Sequence, residues 1–115
     1  MESAQISPEL ETNIKANIEM EFIILSTYYV PTLRTIITTN IPGSPDPIFN
    51  DFKNHLDAFY SLSNHKKEIN QEKKRHLGEW LDSNQRFSPK SVREAIKQFE
   101  EYSAELVKLG LIKIG

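Results

Sequence analysis

Three side chains stand where metal or proton chemistry would need them. Glu21 follows Ile18 by three residues and precedes Leu25 by four, and His76 precedes Trp80 by four. Helical spacing therefore sets Glu21, His55 and His76 near apolar faces. A carboxylate facing two imidazoles is a cation-ligating combination. One carboxylate and two histidines fall short of a full ligand set, so Glu21 is read at a stripe edge with its head in water and the histidines as boundary residues. No metal and no cofactor are expected. His65-Lys66-Lys67 comes nearest to a phosphotransfer histidine, but none of the three histidines has the small, basic surroundings that role needs.

The second chemical feature is the run His65 to His76, whose five cations, Lys66, Lys67, Lys73, Lys74 and Arg75, face two anions, Glu68 and Glu72. On a helix Lys66, Lys67, Asn70, Gln71 and Lys74 share one outward face, a spacing suited to phosphates. No aromatic residue interleaves with them, so there is no platform for stacking bases. The first reading is a solvated helix face, answering the five acids between Glu2 and Glu21. The alternative is nucleic-acid binding through Lys66, Lys67, Lys73, Lys74 and Arg75. The chain has no G-x-G-x-x-G, no P-loop, no H-E-x-x-H and no serine in a nucleophile-elbow context. No catalytic residues are assigned, and an enzyme is not expected.

These groups hang on long apolar stripes. Ser7-Pro8-Glu9 is a helix start. Leu10, Ile14, Ile18, Phe22, Leu25, Tyr29, Leu33 and Ile36 then recur at steps of three and four, so the spacing predicts a helix near 8–39, roughly 48 Å long. Pro31 interrupts it, and a kink near 26–30 is expected because proline lacks the N–H and clashes with the preceding turn. Asn40 to Asp46 reads as a loop, and Asp46-Pro47 as a second capped start. Ile48, Phe49, Phe52, Leu56, Phe59, Tyr60 and Leu62 open a stripe that Ile69, Leu77, Trp80 and Leu81 continue. One helix over 47–83 is favoured, with a break near 61–65 as the other solution. Ser88-Pro89 starts a last helix near 89–109, with Phe87 placed as a hydrophobic staple, and Gly110 ends it in a left-handed cap. The expected fold is all-α: an antiparallel bundle of three long helices, four if 47–83 is broken. Residues 1–6 and 112–115 are expected to fray, apart from the apolar Leu111, Ile112 and Ile114, which should dock.

Composition sets the outer limits. The 115 residues suit a single domain, and 38% hydrophobic with 26% charged residues is ordinary for a soluble protein. A net charge of −2 gives no global pull towards nucleic acid or anionic membrane. The chain lacks cysteine, a signal-peptide pattern and a membrane-length apolar run, so a cytoplasmic protein with no membrane partner is expected. The functional expectation is a binding protein that engages another protein or a second copy of itself. In a three-helix arrangement the last helix climbs towards the 40–46 loop and runs out about 16 Å short of it. That would leave Val30, Leu33, Ile36, Ile37, Ile48, Phe49 and Phe52 as an apolar patch, the expected interface.

Overall fold

A computed structural model describes residues 8–39 and 45–113, with side chains from Thr12 onward. The proposed Ser7 cap, the Leu10 contact, the frayed start, most of the 40–46 loop and Ile114 lie outside the described residues. The elements are α1 (Pro8–Ile24), a π-helical turn (Leu25–Tyr29), α2 (Val30–Thr39), α3 (Asp46–Ser63), α4 (Gln71–Asp82) and α5 (Pro89–Lys108). No strand occurs among the described residues. No helix among them is long and apolar enough to cross a membrane.

α1, the π turn and α2 form one continuous first rod, because Ile24 and Val30 on either side of the turn keep right-handed helical angles. Pro31 is accommodated by widening the turn before it, where the Val30 N–H reaches the Leu25 carbonyl five residues back. Widening moves the preceding carbonyls away from the proline ring. It also takes backbone donors from the carbonyls upstream, and hydroxyls replace them: Ser26 Oγ donates to the Phe22 carbonyl at 2.7 Å and Thr27 Oγ1 to that of Ile23. The expected disturbance falls in the expected place, as a π turn.

The second stripe does not form one helix. α3 ends at Ser63, and residues 64–70 form turns that bring α4 back alongside it. Ser63 Oγ donates to the Phe59 carbonyl and pairs with the Tyr102 hydroxyl, which fixes the end of α3 in the core. Ile69 is buried within the connection at 1% exposure. Asn70 then takes extended angles and its side chain accepts from the N–H groups of Glu72 and Lys73, capping α4. Replacing Asn70 by alanine removes both bonds and should cost about 1 kcal/mol of stability in a denaturant titration.

Four rods result, up-down-up-down and 56 Å along the longest axis. The break reverses the last helix relative to the three-helix expectation. α5 starts beside the far end of the first rod, where Phe87 meets Phe49, and runs back until the Lys113 N–H reaches Glu19 on α1. It ends as expected: Gly110 has φ of 78°, and the Leu111 N–H returns to the Leu106 carbonyl. Ile112 docks in the core, as expected of the apolar tail. Ser88 caps the start of α5 by accepting from the Ser91 N–H, ahead of Pro89. α3 starts at Asp46, one residue earlier than expected, with Pro45 in the cap position.

The core follows the stripes: Ile18, Leu25, Leu33, Phe52, Leu56, Phe59, Leu77, Val92, Phe99 and Leu106 are all buried. Aromatic rings link the rods. Phe22 stacks on Phe99, Phe59 meets both Phe99 and Tyr102, and Trp80 sets its edge against Phe49. Tyr28 faces out, its ring set edge to face with that of Tyr29.

Burial pushes the Tyr102 hydroxyl up to about 12, while its bond to Ser63 opposes the shift. The folded state holds this proton after unfolded tyrosines, near 10, have lost theirs. The contribution is therefore complete below pH 10 and disappears as pH rises from 10 to 12, at about 1.4 kcal/mol per pH unit. Chemical denaturation across that window should show the fall, and Tyr102→Phe should flatten it.

Candidate interaction groove

The residues singled out by sequence separate in space. Glu21 and His55 meet across α1 and α3, with Oε1 and Nδ1 2.7 Å apart and both side chains part-buried. The His55 ring lies 5.1 Å from that of Tyr29, whose hydroxyl is pushed up by burial and by Asp51, Tyr28 and Glu21 nearby. His76 does not join them: it is exposed on α4, 3.4 Å from Glu72. Among the described residues no group of three or more His, Asp or Glu side chains could hold a metal ion.

The basic run is divided as well. Lys66 and Lys67 sit in the connection before α4, so the shared helical face with Lys74 does not form. Arg75 lies between Glu72 and Glu79, and Lys73 is 3.8 Å from Glu101 on α5. The Arg75 hydrogen bond holds the Glu72 carboxyl below the usual carboxylate range.

The expected apolar patch is not exposed. Val30, Leu33, Phe49 and Phe52 are buried within their own chain, and Ile36, Ile37 and Ile48 pack partly against the core. The cause is the folding-back of α4. With α5 reversed, the α4–α5 end covers the far end of the first hairpin through Trp80 and Phe87.

An open groove lies between the first rod and α5, and two residues of the expected patch, Val30 and Ile37, line it. Its upper half is a cleft of about 450 Å³, lined on one wall by Phe22, Ser26, Val30 and Arg34 and on the other by Phe99, Glu100, Ser103, Ala104 and Val107. Phe22, Ser26, Val30, Arg34 and Thr38 descend the first rod at steps of four, which keeps them on one face even through the π turn. On α5 the small residues Ser103 and Ala104 keep the opposite wall low. Ser103 is 5% exposed, and its hydroxyl has no hydrogen-bond partner among the described residues. Such an orphan is rare in a folded interior.

At the rim Arg34 Nη2 and Glu100 Oε2 meet at 3.0 Å, both half exposed. Beyond this pair the groove continues into a second cleft of about 390 Å³, lined by Arg34, Ile37, Thr38, Arg93, Ile96, Lys97 and Glu100. Lys90, Arg93 and Lys97 are exposed on one face of α5. Among the described residues no carboxylate pairs with any of the three. Two acids of α5 face the other way, Glu101 towards Lys73 and Glu105 towards the Asn70 N–H, while Glu100 stays at the groove rim with Arg34. Charge is thus unevenly spread around α5: Glu101 and Glu105 lie towards α4, and the groove side carries Lys90, Arg93 and Lys97 with Glu100 alone opposing them there among the described residues. Lys90, Arg93 and Lys97 were legible as an i, i+3, i+7 set, but the nearby Glu94, Glu100 and Glu101 mask the uneven spread in the linear sequence.

No family model matches the chain, and comparison with curated proteins and with solved structures finds no significant match in either.

Proposed function

We propose that this chain is a non-enzymatic protein–protein interaction module of the cytoplasm, and that its partner docks in the groove between the first rod and α5. One observation supports the reading: an open, largely apolar cleft runs directly into a patch where Arg93 and Lys97 have no carboxylate partner among the described residues. Apolar surface left bare beside a polar rim is the usual anatomy of an interaction site.

The test is capture from the native source with the wild-type chain and with Ala104→Trp. Ala104 is exposed on a helix and lines the cleft, so tryptophan there fills the groove without entering the core. Circular dichroism should be unchanged and the specific partner lost. Retention of the same partner by the filled variant would refute the reading. Neutralising Lys66, Lys67, Lys73, Lys74 and Arg75 together should leave capture unaltered. Salt-sensitive retention on labelled RNA that disappears in that quintuple variant would instead support nucleic-acid binding.

A further inference from the structure

The two halves of the groove differ in chemistry, and the difference restricts what can fill it. The half at Phe22, Val30, Ala104 and Val107 is apolar, while the half at Arg34, Arg93 and Lys97 carries three cations against Glu100. Along the first rod the groove extends from Phe22 to Thr38, about 24 Å at the helical rise. Its walls are two antiparallel helices with small residues between them, a shape that accepts the ridge of a third helix.

We infer that the occupant is an acidic amphipathic α-helix of a partner protein. The helix, about four turns long, would lay the apolar stripe of one half over Phe22, Val30, Ala104 and Val107. Its carboxylates would meet Arg93 and Lys97 and compete with Glu100 for Arg34. This inference rests on the groove being the binding face.

Charge complementarity selects this occupant over the others. A nucleic-acid backbone would satisfy the cations but leave the apolar half bare. It would also find no free ring within the groove to stack on, because Phe22 and Phe99 stack on each other. A two-fold copy meeting groove to groove would bring the same excess of cations and the same concave surface, which neither neutralises Arg93 and Lys97 nor fills the cleft.

Selection from a displayed library of 18-residue amphipathic helical peptides, with Ala104→Trp as counter-selection, tests it. The expected winners carry apolar residues at steps of three and four and a net negative charge. A synthesised winner should bind the wild-type chain at least tenfold more tightly than R93E/K97E, both exposed positions, with affinity falling as salt rises. Winners that are neutral or basic but still compete with Ala104→Trp blockade would overturn the acidic helix while leaving the groove as the binding face. So would tight binding of a 20-nucleotide single strand or of phosphatidylserine vesicles that is lost in R93E/K97E. A selection yielding only peptides that bind wild type and Ala104→Trp equally would overturn both readings.

Discussion

Phe49→Ala should destabilise the protein by about 3–5 kcal/mol, the range for emptying a buried aromatic site. Phe49 is 1% exposed and its ring contacts Phe52, Trp80 and Phe87, with the Lys53 ammonium 5.0 Å from its centroid. Three elements lose a shared neighbour at once, and the cavity cannot close without moving the α4–α5 end. Urea unfolding followed by circular dichroism measures the loss. Light scattering on the same samples should show no change in assembly between wild type and variant. If Phe49 were an interface anchor, the result would be reversed: a change in assembly with little loss of monomer stability.

The second large effect is expected at Ile69. This side chain is buried in a seven-residue connection without helix of its own, next to the cap that starts α4. Ile69→Ala should cost about 2–5 kcal/mol, well beyond what an exposed loop position would show. Combined with Asn70→Ala the losses need not add, because the two residues adjoin and act on the same turn. Amide exchange should show α4 released before α3 and the first rod in the single variant. Uniform exchange in all helices, with a loss below 0.5 kcal/mol on the order of a surface substitution, would mean that Ile69 does not hold the reversal.

Ile69 also marks where the sequence stopped being legible. The stripes of the first rod and of α5 predict their buried residues closely, because a helix face under a core leaves a repeat of three and four that nothing else mimics. The π turn was legible as a disturbance, since Pro31 has only a few ways to persist inside a helix. The connection at 64–70 was legible only as the less favoured solution, a break near 61–65. Ile69 keeps phase with the stripe that precedes it, so a buried loop residue and a buried helix residue read alike. Asn70 caps through a side chain that is equally at home on a helix surface. That one ambiguity propagated: a continuous helix reverses α5 and uncovers Phe49, whereas the observed fold buries Phe49 and leaves Val30 and Ile37 of the expected patch lining the groove. The groove could not be read at all, because its two walls come from residues 22–38 and 93–107, and no local pattern records that they face each other.

The measurement that bears most directly on the groove is amide hydrogen exchange on the complex with the captured partner. Binding should slow exchange in 22–38 and 93–107 and leave the outer face of α4 unchanged. The Arg34–Glu100 bridge ties the two walls together, so R34A should weaken binding more than K74A, which lies outside the groove. Protection confined to 66–76, with 22–38 and 93–107 exchanging as in the free protein, would contradict the assignment.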